Sequence, residues 1–146
     1  MPVTNIPDDH HVVRHCKKRS TIRENGAVIG VLPDAFRLRP ASEKRPKPEE
    51  YLSAVYYEYF DGQQPQMKAC CAALPFVPKK QDALARLNVR RLKAPFQKAL
   101  IAIRVTHEPD RHGPAYAAIR PAKISDLLAA TIASNAIVEL KQVSLL

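Results

Sequence analysis

Glycine is scarce in this chain, with four residues and no two adjacent. That excludes a phosphate-cradling P-loop and the Gly-rich dinucleotide fingerprint, both of which need clustered glycines. A Gly-x-Ser-x-Gly nucleophile elbow is likewise missing. No apolar run approaches the roughly 18 residues of a membrane span. The opening MPVTNIPDDHHVV lacks a basic segment followed by an apolar one, so no secretory signal is expected. Cysteine is limited to Cys16, Cys70 and Cys71, an odd number with two adjacent, which is not a disulfide framework. Free thiols in a reducing, cytoplasmic compartment are the expectation. Acidic residues are also short: 14 Asp and Glu against 23 Lys and Arg leave a formal charge of +9. Such a surplus favours acidic partners, either nucleic acid or an acidic protein.

What is present describes one globular domain over residues 1–146, with 46% hydrophobic and 25% charged residues. His11–Cys16 alternates as a first strand. Residues 20–25 before Gly26 resemble one helical turn with a glycine stop, and residues 35–39 a half-exposed strand with Arg37 and Arg39 on one face. The proline- and charge-rich segment 40–50 is a surface loop. Tyr51–Phe60, which holds four of the five tyrosines, leans towards a helix because a strand would leave both faces mixed. Gln66–Leu74 follows Pro65 as a helix. Lys79–Asn88 carries Ala83, Leu84 and Leu87 at helical spacing and predicts an amphipathic helix. Leu100–Thr106 is expected as the central strand, paired with 115–119. Ser125 caps a helix over 126–134, and 136–143 is a final strand placed near the central one. The expected fold is α+β: a small, mixed or mostly antiparallel sheet with two or three helices on one face.

Three groups of residues bear on chemistry. The corner His107-Glu108-Pro109-Asp110-Arg111-His112 concentrates ionisable groups at a strand end, with His107, Glu108 and His112 as catalytic candidates. Its spacing matches no known zinc signature, so no metal is expected, and no cofactor either. His10, His11 and His15 form a second cluster, of which His11 and His15 share a strand face and are further candidates. Cys16 beside His15 points the opposite way in a strand, which defeats a local Cys–His pair. Cations are concentrated in two stretches, ten from Arg14 to Lys47 and eight from Lys79 to Arg104. In the second stretch Lys79, Lys80, Arg86, Arg90, Arg91 and Lys93 are the candidate nucleic-acid or anion contacts, tracking phosphates without reading bases.

The basic-histidine strand HHVVRH (10–15), the segment Tyr51-Leu52-Ser53 and a later acid, Glu58 or Glu108, together resemble small ADP-ribosyltransferase-like folds, though with different spacing. The resemblance covers little of the chain and implies transferase activity as an alternative. The leading expectation is a non-enzymatic, cytoplasmic binding or accessory protein whose basic surface engages nucleic acid or an acidic protein, with no membrane partner. Its competitor is a small phosphodiesterase, nuclease or ADP-ribosyl transferase acting at His107–His112. A structural or oligomerisation subunit is the third class, and the oligomeric state is left open.

Overall fold

A computed structural model describes residues 2–146. Those residues form nine strands and three helices: β1 (Thr4–Asn5), β2 (His11–Cys16), β3 (Thr21–Glu24), β4 (Ala27–Val31), β5 (Leu52–Tyr56), α1 (Gln66–Ala72), β6 (Ala83–Asn88), α2 (Val89–Lys98), β7 (Ile103–His107), β8 (Tyr116–Pro121), α3 (Asp126–Asn135) and β9 (Ile137–Gln142). Seven strands form one sheet in the order β1-β7-β8-β5-β2-β6-β9, and β3 and β4 form a separate hairpin. Every pairing in the main sheet is antiparallel. The fold is α+β, as the alternation of strand and helix patterns suggested.

Period-two alternation divides the core between the two sheet faces. On one face Val12, Leu52, Ala85, Leu87, Val105 and Ile119 pack against α2 and α3, through residues such as Leu92, Phe96 and Ile132. On the other, Val13, Val55 and Leu84 pack against Met67 and Cys70 of the short α1. Strands buried on both sides read as continuous apolar runs, and this misleads a search for periodicity. Residues 83–88 are such a case. Their helical spacing is incidental: Leu84 faces α1, Leu87 faces α2, and the segment is strand β6 between β2 and β9. The helix starts one residue later, where Asn88 accepts a hydrogen bond from Arg91 N at 3.0 Å and acts as the N-cap.

Several further expectations are corrected by the fold. Residues 21–24 are strand, because Asn25 (φ 52°) and Gly26 (φ 80°) supply the left-handed pair of a tight hairpin turn rather than a helix stop. Residues 33–36 are a 3₁₀ turn that buries Phe36, not part of a strand. Residues 52–56 are strand β5, followed by a 3₁₀ turn over 57–60. The mixed faces that argued against a strand here are explained by a core on both sides. Of the expected 100–106 strand only residues from Ile103 on are in β7, which ends at His107 and lies next to the edge; Leu100 belongs to the turn after α2, and β5 is the middle strand. β9 pairs with β6 at the opposite edge from β7. Residues 66–72, 126–135 and 137–142 form the expected helix, capped helix and strand.

The sheet is not continuous through its middle. All six residues of β2 pair with β6, but only Val12 and Val13 pair with β5. Beyond that point β5 continues with β8 alone, from Ala54 to Leu52. The two strands part, and the chain between them, residues 17–51, folds back towards the opening.

Candidate functional site: a cationic recess where β2 and β5 part

A recess of about 630 Å³ opens at this divergence. Arg14 stands at its head. When β2 leaves β5, Ser53 on β5 has no β2 amide opposite it, and the carbonyl of Ala35 is turned inward by the 3₁₀ turn. The Arg14 guanidinium supplies what the ladder does not: Nε donates to Ala35 O and Nη1 to Ser53 O, both at 2.7 Å. The remaining nitrogen, Nη2, finds no acceptor among the described residues. Burial pushes the Arg14 pKa down, partly opposed by Cys16 and, at longer range, Glu49. An arginine keeps its charge under such pressure. A partly buried cation therefore lines the cavity with no carboxylate in ion-pair contact among the described residues.

The surroundings add charge of the same sign. Lys17, Arg19, Arg37 and Arg39 also line the recess, against two carboxylates, Asp34 and Glu49. Glu49 is occupied: Arg39 donates from its backbone N at 2.7 Å and from Nη2 at 3.0 Å. Burial alone would raise Glu49, but these bonds hold its pKa below the usual carboxylate value. Arg37 reaches Asp126 at 3.2 Å across an exposed surface, a contact of little strength. Neutral donors complete the set. The hydroxyls of Ser53 and Tyr116 are 2.8 Å apart, and burial pushes the Tyr116 pKa up to about 12, so it stays protonated. Cys16 lines the same space, but burial raises its thiol to about 12, which removes it as a nucleophile.

One wall is apolar and aromatic, built from Ala73, Leu74, Pro75 and Phe76 after α1. Phe76 meets His15 edge-on at 4.9 Å and remains about half exposed. His15 is fixed from behind by Asp82, whose Oδ2 lies 2.8 Å from Nε2. Asp82 also accepts from the backbone of Lys18 and Lys79. Burial would raise its pKa, and the three donors outweigh that and lower it.

The candidates named from the sequence do not converge on one point. His11 is held by Glu58, which accepts from both its backbone N and Nδ1 at 2.7 Å. His10, rather than His11 or His15, approaches the 107 corner: the Tyr56 ring lies between those of His10 (5.8 Å) and His107 (5.1 Å). His107 donates from Nε2 to Pro114 O. Glu108 turns to the opposite face of the sheet. There it accepts from Thr106 (2.6 Å), twice from Arg120 (2.7 and 2.8 Å) and from Arg111 (3.0 Å). Those bonds, led by Arg120, pull its pKa down to about 2 despite its burial. A carboxylate so saturated is a poor proton acceptor near neutrality. His112 packs edge-on against the Tyr116 ring at 4.8 Å.

The six cations of the second basic stretch are also dispersed. Lys79 and Lys80 precede β6, while Arg90, Arg91 and Lys93 follow it on α2, separated by a strand of about 20 Å. Arg86 lies over the Tyr57 ring and 3.1 Å from Glu139, and Lys93 contacts Asp8 at 2.6 Å. Arg90 and Arg91 remain exposed. The cations of the recess lie instead in the first basic stretch, and part of the signal was there: Arg37 and Arg39 two apart, and Arg14 inside the strand His11–Cys16. What the sequence did not show was the parting of β2 and β5. The two segments that carried the transferase resemblance do meet at Arg14 and Ser53, but Glu58 and Glu108 are engaged elsewhere. No family model, curated protein or solved structure matches the chain.

Proposed function

We propose that this is a binding protein for a phosphorylated or similarly anionic ligand, held in the recess between β2 and β5. The observation that carries the reading is Arg14, a partly buried guanidinium bonded only to backbone carbonyls, with one nitrogen left for an occupant. Arginine favours anions because its planar fork matches carboxylate and phosphate geometry. The volume suits a small organic ligand, whose sites span about 300–1,000 Å³. Binding is favoured over turnover because Glu108 is saturated by its donors and Cys16 is held as a thiol. Nucleic acid is one source of such an anion, and an acidic protein another. A cytoplasmic setting accords with three free cysteines.

Calorimetric titration with inorganic phosphate and pyrophosphate tests this. Arg14→Lys keeps the charge but loses the fork, and is expected to weaken binding about tenfold or more. Lys17→Ser with Arg19→Ser, at exposed positions, keeps the fold and is expected to weaken binding and reduce its salt dependence. Arg90→Glu with Arg91→Glu is expected to change nothing. Loss of binding in that last variant alone would move the site to α2 and support the surface reading instead.

A further inference from the structure

The recess is not uniform, and its parts are set out in an order that specifies a ligand. In β2, Arg14 and His15 point to opposite sheet faces, Arg14 to the side of the α2 and α3 core and His15 to the side of α1. The opening between β2 and β5 joins the two sides. An occupant that touches Arg14 at one end and the Phe76 wall at the other must extend through that opening. Along the way it passes the paired hydroxyls of Ser53 and Tyr116, which share a face with His15.

Each station selects a different chemistry. Arg14, with Arg39 (paired to Glu49) and Arg37 (in an exposed contact with Asp126) nearby, takes a charged, oxygen-rich head. The Ser53 hydroxyl is exposed and, with one bond made to the buried Tyr116 hydroxyl, keeps hydrogen-bonding capacity that suits the alcohols of a polar middle section. Asp34 adds a carboxylate of which only Oδ2 is occupied among the described residues, by Ser20 Oγ at 3.1 Å. Phe76 offers a flat surface: its edge-on contact with His15 covers at most one ring face, and about half of the side chain is exposed. Aromatic rings left this way at the mouth of a cationic cavity stack on other flat rings.

A charged head, a hydroxylated middle and a flat aromatic end, in that order, describe a nucleoside phosphate. Resting on the anion-binding reading above, we infer that the recess takes a nucleoside 5′-phosphate, with the phosphate at Arg14, the sugar beside Ser53 and Tyr116, and the base on Phe76. The same chemistry has two sources, a free mononucleotide or the phosphorylated end of a nucleic-acid strand.

Titration of the full chain with inorganic phosphate, ribose 5-phosphate and adenosine 5′-monophosphate tests the assignment, on the native protein and on Phe76→Ala and Phe76→Tyr. The expected order of affinity is the nucleotide over ribose 5-phosphate by about tenfold or more, the value of one stacked base. Phe76→Ala is expected to erase that preference while leaving ribose 5-phosphate binding as it was, and Phe76→Tyr to retain it. Equal binding of the nucleotide and ribose 5-phosphate, or a preference that survives Phe76→Ala, would overturn the nucleoside assignment and leave an anion site. If none of the three ligands binds, the anion reading falls and this inference with it. A 5′-phosphorylated trinucleotide in parallel separates the sources: affinity above the mononucleotide assigns the site to strand ends, and affinity below it to free nucleotides.

Discussion

Glu108 shows how an ionisable residue in a promising place becomes structural. Its four donors and low exposure make it an anchor joining β7, β8 and the 107–114 corner. Glu108→Gln should destabilise the protein by about 3 kcal/mol in urea denaturation, since it leaves two guanidiniums with a neutral partner. The pH dependence follows from the same bonds. The folded pKa of about 2 lies below the ordinary 4.5. The unfolded chain therefore takes up the proton first, and the stability contributed by this group is full above pH 4.5 and fades as pH falls towards 2. Glu108→Gln should flatten the stability profile across that window. An unchanged acid limb would mean that other carboxylates control it. Arg14 is the complementary case, a residue whose bonds to Ala35 and Ser53 are structural while one nitrogen is left over. From the sequence it was one more cation in a strand. Its importance lies in the missing β2–β5 pairing, a property of two segments some 40 residues apart that no local pattern encodes.

At the level of elements, burial of both faces obscured β5 and β6, though not β2 or β8. α3 has a solvent side, and Ser125 accepts from Leu128 N at 3.2 Å as its capping pattern foretold. Ser125→Ala should lower stability by about 1 kcal/mol. β5 and β6 bury both faces, so their apolar residues fit a helical spacing as well as a strand, and pairing with neighbours decided the outcome. α2 was not expected at all, a helix having been expected at 79–88 instead. The helix runs through Pro95, which predicts a break, and stops only where Leu100 adopts φ 58°. There Ile101 N returns to Phe96 O at 2.9 Å, a helix-terminating turn that usually employs glycine. Leu100 is almost fully exposed, so its side chain contributes little to offset the left-handed backbone. Leu100→Gly is expected to raise stability by about 1 kcal/mol in thermal or urea unfolding. A loss of stability on that substitution would show that the leucine side chain has a role the backbone does not reveal.

Across the whole molecule, a net charge of +9 favours acidic partners in general and locates no site. The second basic stretch drew attention because its cations are dense in sequence. Folding places Lys79 and Lys80 at one end of β6 and Arg90 and Arg91 at the other, and pairs Arg86 and Lys93 with Glu139 and Asp8. From the first stretch, Arg14, Lys17, Arg19, Arg37 and Arg39 come to one cavity at the opening in the sheet. Among the described residues, no helix is long and apolar enough to cross a membrane. The surplus charge thus has a local focus where two central strands separate. Residue-resolved amide and arginine side-chain NMR during titration with adenosine 5′-monophosphate tests that focus most directly. The predicted result is a set of shifts confined to residues 14–19, 34–39, 53, 73–76 and 116, including the Arg14 side-chain N–H. Shifts centred on residues 79–93, or none at saturating ligand, would contradict it.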